Sequence, residues 1–328
     1  MTEDESKLNK DEMRQRKPLP IALHLPESFF HEEERCGYLV CAKLKRIWAV
    51  ELDLLSEILR ICKKHEIKVQ LAFGSLLGAV RHKGFIPWDD DLDVWMTRDE
   101  FDRFQVAAVK ELKHPYFLQT ALSDREYFLS YARLRNSETT AVISDTASPT
   151  YNNGIYVDIY ILDGVPQTRF MQRIQNATRI LLDLILNICA PGKPKTDKFH
   201  DKLVRRLKIL RPFFLIVPFK VWYRLYVKVI SWNSASADIF TLLSNSTYAY
   251  KSRKIRIPRK ALEESSEILF EGMWMVPISK DFDAILRGPY GDYMKFPPPE
   301  LRGKWHEGII RFEPNMPYRE FLEKEVQS

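Results

Sequence analysis

Between Ala42 and Lys64 the apolar side chains Leu44, Ile47, Trp48, Leu52, Leu55, Leu59 and Cys62 recur at spacings of three and four. That period predicts an amphipathic helix with one face committed to a core. A short apolar run, Ile67 to Phe73, then reads as a strand and leads through a Gly74-Ser75 turn into a brief helix ending near Arg81. A loop from Lys83 to Asp90, carrying Gly84 and Pro87, precedes a second strand from Asp91 to Met96. Thr97, with Glu100 three residues on, is placed to cap a helix over Arg98 to Lys113. Further short strands are predicted at Tyr127 to Leu134, Thr139 to Ile143 and Ile155 to Leu162. Strands mixed with helices in this order predict an α/β or α+β fold. From residue 171 to about 240 the pattern is long, helical and interrupted by Pro191, Pro194, Pro212 and Pro218, as in a helical insertion. Mixed character returns from 255 to 315, with a dense run of turn formers from Gly288 to Pro299.

Composition narrows the chemistry. With 328 residues, 45% of them apolar, the chain can bury a core without covalent staples, as one large domain or two small ones. Its 12 glycines are about 4% of the chain, against a usual ~7%, so a glycine-rich phosphate cradle has little material. Cys36, Cys41, Cys62 and Cys189 form no CxxC and no Cys/His cluster at zinc spacing, which favours a reducing compartment. Met1 to Arg16 alternate charges and lack the apolar stretch of a secretory signal. No uninterrupted apolar run reaches the roughly 18 residues of a spanning helix.

The sharpest chemical feature is Pro87-Trp88-Asp89-Asp90-Asp91-Leu92-Asp93-Val94. In a strand, residues two apart share a face, so Asp91 and Asp93 project side by side while Leu92 and Val94 face the core. Two carboxylates held that close repel unless a cation lies between them. A hard divalent ion, Mg²⁺ or Mn²⁺, answers that need and leaves positions open for substrate phosphates. Asp89 has the same parity and is a third candidate, as ligand or as contact to metal-bound water. A solvated acidic loop is the competing reading. An apolar strand, a Gly-Ser turn, a short helix and an Asp-x-Asp strand form the arrangement of nucleotidyltransferase-type sites, in which Gly74 and Ser75 would hold donor phosphates. Such sites recruit a further carboxylate from a later strand. Asp158, a lone acid in Ile155-Tyr156-Val157-Asp158-Ile159-Tyr160, is the candidate, because it is costly to bury unless paired or metal-bound. Asp163, just before Gly164, is assigned to a turn. Arg81, His82 and Lys83 could neutralise a diphosphate, or form a solvated basic loop. Arg133 and Arg135, two apart on a predicted strand, could form a second phosphate clamp, or lie on an exposed strand face. No Ser-His-Asp order stands out, and the seven histidines do not cluster.

The string Gly74-Ser75-Leu76-Leu77-Gly78-Ala79-Val80-Arg81-His82-Lys83-Gly84-Phe85-Ile86-Pro87-Trp88-Asp89-Asp90-Asp91-Leu92-Asp93 strongly resembles the LicD/fukutin family of phosphotransferases. Tyr131-Ala132-Arg133-Leu134-Arg135 resembles the family's basic strand, with Arg133 where Lys is common. Val157-Asp158-Ile159-Tyr160-Ile161-Leu162-Asp163-Gly164 is similar to its Asp-Ile-Phe-Pro-Leu-Asp-Gly segment, with Tyr160 and Ile161 in place of Phe and Pro. Tyr290-Gly291-Asp292-Tyr293-Met294, with Pro297, Pro298 and then His306, resembles its C-terminal signature. The resemblance implies a nucleotidyltransferase-like mixed sheet flanked by helices. It implies transfer of a phospho-alcohol, phosphocholine from CDP-choline first, to a hydroxyl of a cell-surface glycan, with CMP leaving. Asp89, Asp91, Asp93 and Asp158 would carry the metal, and Gly74, Ser75, Arg81, His82, Lys83, Arg133, Arg135 and His306 the substrates. Phosphoribitol or phosphoglycerol transfer and nucleotidyl transfer are the enzymatic alternatives. A trimethylammonium head would want an aromatic cage, for which Tyr131, Tyr156, Tyr160, Tyr290, Tyr293 and Trp305 are available.

The formal charge of +6 is unevenly spread. Eleven Lys or Arg stand against two Asp between Lys193 and Lys228, a local net of +9 that leaves about −3 for the remainder. Aromatic and aliphatic residues interleave those cations. Such a stretch suits an anionic lipid interface, and equally the core of a helical subdomain with snorkelling cations outside. Nucleic-acid binding has no RNP, KH, helix-turn-helix or zinc pattern to support it. A membrane- or nucleic-acid-binding protein without catalysis is the non-enzymatic alternative. The expected organisation is a partly disordered arm over 1–35, a catalytic core over 36–170, a basic helical subdomain over 171–240 and a C-terminal part, 241–328, that completes the core. The expected location is the cytoplasm, with peripheral contact to the inner face of the cell membrane and a glycan or lipid-linked glycan as acceptor.

Overall fold

The computed structural model describes residues 18–124, 127, 131–143, 151–190, 199–244, 255–303 and 310–327. A hairpin of β1 (Glu33–Arg35) and β2 (Tyr38–Val40) leads into α1 (Ala42–Lys64). The helix buries Ile47, Trp48, Leu52, Leu55, Ile58 and Ile61, on the face its three-and-four spacing predicts. Residues 18 to 35, assigned to an arm, instead pack along this helix. Asp53 accepts the amides of Ala22 and Leu23, each at 2.9 Å, and the Tyr116 hydroxyl at 2.8 Å. Leu19, Ile21, Leu23 and Leu25 add their side chains to the core. Residues 1–17 lie outside the described residues.

β3 (Gln70–Leu71) is much shorter than the apolar run that predicts it, and α2 (Phe73–His82) begins at once. Gly74 and Ser75, assigned to a turn, therefore form the first turn of that helix. β4 (Asp93–Thr97) starts two residues later than predicted, leaving Asp89 to Asp91 in the approach to the strand. Thr97 accepts the Glu100 amide at 3.5 Å and caps α3 (Arg98–Glu111) as its sequence predicts. β5 (Tyr116–Gln119), β6 (Ala132–Asn136), β7 (Thr140–Ile143) and β8 (Ile155–Gly164) follow. Of the strand predicted from Tyr127 to Leu134, Tyr127 and Tyr131 lie outside any strand and β6 begins at Ala132, residues 128–130 being outside the described residues.

β8 is the spine of a seven-stranded mixed sheet. It pairs in parallel with β4, antiparallel with β6, and through its last two residues with β9 (Ile239–Thr241). Strands paired along both edges and covered on both faces read as near-continuous apolar runs, and eight of the ten residues from Ile155 to Gly164 are apolar or Gly besides Asp158 and Asp163. Asp163, assigned to a turn, is in fact inside β8 and fully buried. It receives Nε and Nη2 of Arg98 at 2.8 and 3.0 Å, which ties the start of α3 to the sheet. Burial works against the Arg98 cation, but Asp163 outweighs it and keeps the guanidinium charged.

The helical segment comprises α4 (Arg169–Cys189), α5 (Phe199–Leu207), α6 (Arg211–Phe214) and α7 (Phe219–Ser231). Pro218 stands just before α7, and Pro212 occupies the first turn of α6, where a missing amide costs nothing. The chain then returns to the sheet through β9 and β10 (Ile257–Pro258). α8 (Arg259–Glu263), the hairpin β11 (Ser265–Phe270) and β12 (Trp274–Ser279), and α9 (Phe282–Tyr290) complete that side. β13 (Ile310–Glu313) pairs with β7, and α10 (Tyr318–Gln327) closes the described chain. Among the described residues no helix is long and apolar enough to cross a membrane.

Candidate active site

Pairing across the sheet sets three charged residues in one row. Asp93 of β4 is opposite Asp158 of β8, and Asp158 is opposite Arg133 of β6. The same register that buries the neighbouring apolar residues therefore brings two carboxylates and a guanidinium onto one face. Arg133 Nε donates to Asp158 Oδ1 at 2.6 Å, and Nη2 donates to the Tyr131 hydroxyl at 3.2 Å. Its guanidinium also lies 3.8 Å from the centre of the Tyr156 ring. Burial opposes the Arg133 charge, but Asp158 beside it prevails. Asp158 is thus buried as half of an ion pair.

Asp93 has no such partner. It is 6% exposed, and its Oδ1 is buried without a hydrogen bond among the described residues. Burial first, then Asp91, Asp158 and Asp89, push its carboxyl well above the usual carboxylate range. Its backbone is fixed from several sides. The Asp93 amide donates to Ser75 Oγ at 2.7 Å, its carbonyl accepts the Ala72 amide at 3.0 Å, and the Leu92 carbonyl accepts the Asp158 amide at 3.0 Å. The Trp48 indole reaches from α1 to the Asp89 carbonyl at 2.9 Å. A side-chain carbon on Gly74 would sit 3.0 Å from Asp89 Oδ2, so glycine there admits the acid. Ser75, expected at a donor phosphate, is 6% exposed and uses its oxygen to hold the Asp93 strand.

The four acids Asp89, Asp91, Asp93 and Asp158 oppose one another electrostatically. Among the described residues no three His, Cys, Asp or Glu side chains are already arranged around a metal position. The donor chemistry nevertheless fits a hard divalent cation: all-oxygen ligands, mutual repulsion, and a buried carboxylate oxygen without a partner.

The remaining basic candidates are engaged elsewhere. Arg81 Nη1 donates to the carbonyls of Tyr293 at 2.8 Å and Lys295 at 3.3 Å, and its Nε to His82 Nε2 at 2.9 Å. The His82 ring stacks on Phe296 at 5.3 Å and meets Trp88 edge-on at 5.7 Å. Arg81 and His82 therefore pin the 293–296 segment beside the acidic loop. Lys83 is exposed and in the left-handed region, with φ of 60°. Arg135 points into the protein. It is 1% exposed, donates to Gln119 Oε1 and the Gly154 carbonyl, each at 2.5 Å, and shares the Tyr156 ring with Arg133. Burial, with Arg133 nearby, brings its pKa down to about 10. The two arginines share a face, as sequence parity predicts, but Arg133 pairs with Asp158 while Arg135 is sealed against Gln119 and the Gly154 carbonyl. His306 and Trp305 lie outside the described residues.

Two acids outside the predicted set belong here. Glu51, on the buried face of α1, is 1% exposed with Oε2 unpartnered among the described residues. Burial, then Asp91, Asp90, Asp89 and Asp93, raise its pKa. The signal was present: Glu51 interrupts the apolar stripe between Trp48 and Leu55, just as Asp158 interrupts an apolar strand. Glu271, at the tip of the β11–β12 hairpin with φ of 49°, accepts both Nη atoms of Arg35 at 2.7 and 2.8 Å and the Phe85 amide at 2.9 Å. It anchors the loop that leads to Asp89. An aromatic wall completes the site: Phe73 meets Tyr160 edge-on at 4.9 Å, and Tyr160 stacks on Tyr131 at 5.1 Å.

Residues 66–175 match the model of the LicD/FKTN/FKRP nucleotidyltransferase domain. The lipopolysaccharide cholinephosphotransferase LicD of Haemophilus influenzae is 28% identical over 257 residues, covering 78% of this chain and 92% of that protein. Over these spans the chain is similar to the LicD family. An uncharacterized Rickettsia prowazekii protein is 34% identical over 120 residues, but the match covers 36% of this chain and 41% of that one. The matched segment contains the acidic loop, β4, β6 and β8. Glu51 and Glu271 lie outside it, one on each side.

Proposed function

We propose that this protein transfers phosphocholine from CDP-choline to a hydroxyl of a cell-surface glycan and releases CMP. The reading is carried by one observation: four carboxylates, one with a buried unpartnered oxygen, brought together inside a segment that matches the LicD-family domain. The similarity to a protein named lipopolysaccharide cholinephosphotransferase supports choline phosphate as the group and a glycan as acceptor. The wall of Phe73, Tyr160 and Tyr131 supports choline over ribitol or glycerol, because aromatic faces attract a quaternary ammonium and offer little to a neutral polyol.

Asp91, Asp93, Asp89 and Asp158 would hold Mg²⁺ or Mn²⁺, which when bound supplies positive charge to the donor diphosphate and the departing CMP. Arg133 pairs with Asp158, which stands opposite Asp93 across the strands. Ser75 and the paired strands fix Asp93, so the acids meet substrate without reorganising. Asp89 would orient or deprotonate the acceptor hydroxyl.

The test is incubation of the full chain with CDP-choline, Mg²⁺ and a glycan acceptor, following CMP release and the mass of the product. Acceptor gaining phosphocholine is the expected result. Acceptor gaining a nucleotide would move the assignment to nucleotidyl transfer. No turnover of CDP-choline, CDP-ribitol or CDP-glycerol would overturn the reading. Asp89→Asn separates the two roles of that residue: turnover lost with metal binding intact marks a base, and both lost together marks a ligand.

A further inference from the structure

The basic helical segment divides its apolar residues into two populations. Leu182, Ile185, Tyr226 and Ile230 form a small core of their own, and Phe214 and Trp222 pack against it. That half of the apolar content is ordinary subdomain packing. The other half faces out. Ile209, Phe213 and Ile216 are 83%, 68% and 76% exposed, and their spacing of four and three sets them on one side of the turn that includes α6. Leu210 and Leu215 beside them are also exposed.

The charge around this tip is of one sign. From Lys202 to Ser231 there are eight Lys or Arg and no Asp or Glu. Lys208 and Arg211 have a structural use: they donate to the carbonyls of Ala190 at 2.9 Å and Cys189 at 3.2 Å, where α4 ends. The side chains of Lys202, Arg205, Arg206, Lys220, Arg224 and Lys228 are exposed. A cluster of large apolar side chains in water is costly, and one ringed by cations has an evident complement.

We infer that the 209–216 tip and the cations around it dock on an anionic lipid bilayer. The apolar side chains enter the acyl boundary, and the cations stay at the level of the lipid phosphates. A nucleic acid would engage the cations but leave Ile209, Phe213 and Ile216 in water. A second copy would cover the apolar tip but bring like charge against like. The docking face is also joined to the site. Tyr223 and Arg224 of α7 line a cavity of about 200 Å³ with Tyr131, Ala132 and Ile161 of the catalytic sheet. The inference stands on exposure and charge, independently of the transfer reaction.

Co-sedimentation of the full chain with vesicles tests it. Binding to phosphatidylcholine vesicles containing phosphatidylglycerol, little binding to phosphatidylcholine alone, and a fall with added salt are expected. Arg205→Gln with Arg206→Gln should weaken binding about 30-fold, since each cation near an anionic surface contributes about fivefold. Phe213→Asp and Ile216→Asp should abolish it with an unchanged circular dichroism melt, because both side chains are exposed. Transfer to a water-soluble acceptor should persist in Ile216→Asp, so loss of docking and loss of catalysis are read separately. Equal partitioning into both vesicle types, no partitioning by the wild type, or binding indifferent to these substitutions would overturn the inference. So would retention of RNA without vesicle binding, or a dimer broken by Phe213→Asp with no vesicle binding.

Discussion

Asp93 and Asp158 occupy matching positions on neighbouring strands, yet among the described residues only Asp158 has a counter-ion. In a protein without metal this makes Asp93 a destabilising residue, since a buried carboxyl with acidic neighbours and an unpartnered oxygen gains little from its place. Asp93→Asn keeps the shape and removes the repulsion. Metal-free stability in urea should rise by roughly 0.5–2 kcal/mol, while turnover falls about 10³-fold, in keeping with the several kcal/mol that a metal's charge supplies. A variant less stable than wild type, or one with normal turnover, would remove Asp93 from the site. Tyr160 tests the choline reading at the same scale. Tyr160→Leu should raise KM for CDP-choline by about 5- to 30-fold, the worth of one desolvated cation–π contact, with a much smaller change for CDP-glycerol; equal changes for both donors would mean the wall does not recognise the ammonium. Asp93 was legible as half of an Asp-x-Asp alternation, and Asp158 as a lone acid in an apolar strand. Arg135 was not. Its parity matches that of Arg133, but β6 lies between β5 and β8, so alternation along the strand does not tell an open position from one sealed by Gln119 and Gly154.

At the scale of elements, the acidic loop is clamped by pieces far apart in sequence. α1 contributes the Trp48 indole, α2 contributes Ser75, and the β11–β12 hairpin contributes Glu271. The helix, the capped α3 and β8 could be read from period and capping. The clamp could not, because each contact joins residues whose local patterns do not announce one another. Gly84 shows the consequence. A side-chain carbon there would lie 2.0 Å from Glu271 Oε1, and Glu271 cannot swing away without giving up the Arg35 fork and the Phe85 amide. Gly84→Ala should therefore cost about 2–3 kcal/mol in urea unfolding and lower kcat through the displaced loop, with KM for the donor less affected. Wild-type stability in this variant would show that the hairpin yields freely and does not anchor the loop.

At the scale of the whole molecule, His82 stands where three distant segments meet. Cys36 Sγ of the N-terminal hairpin is 3.6 Å from its Nδ1, Trp88 of the acidic loop meets its ring edge-on, and Phe296 stacks on it. Burial, followed by Arg81, Arg35 and Arg302, lowers its pKa to about 4 from the ordinary 6.5. The sign follows from proton counting. Between those two values the unfolded chain binds a proton that the folded chain does not, so stability rises with pH through the window. Above about pH 6.5 both states leave the ring neutral and the contribution is constant. Acidification below that value should weaken the junction of the three segments, and His82→Gln should flatten the dependence. Urea midpoints at about pH 5 and about pH 7 measure it: the wild type should lose more stability than the variant on going down, and equal losses would show that His82 is as easily protonated in the folded protein as in the unfolded chain.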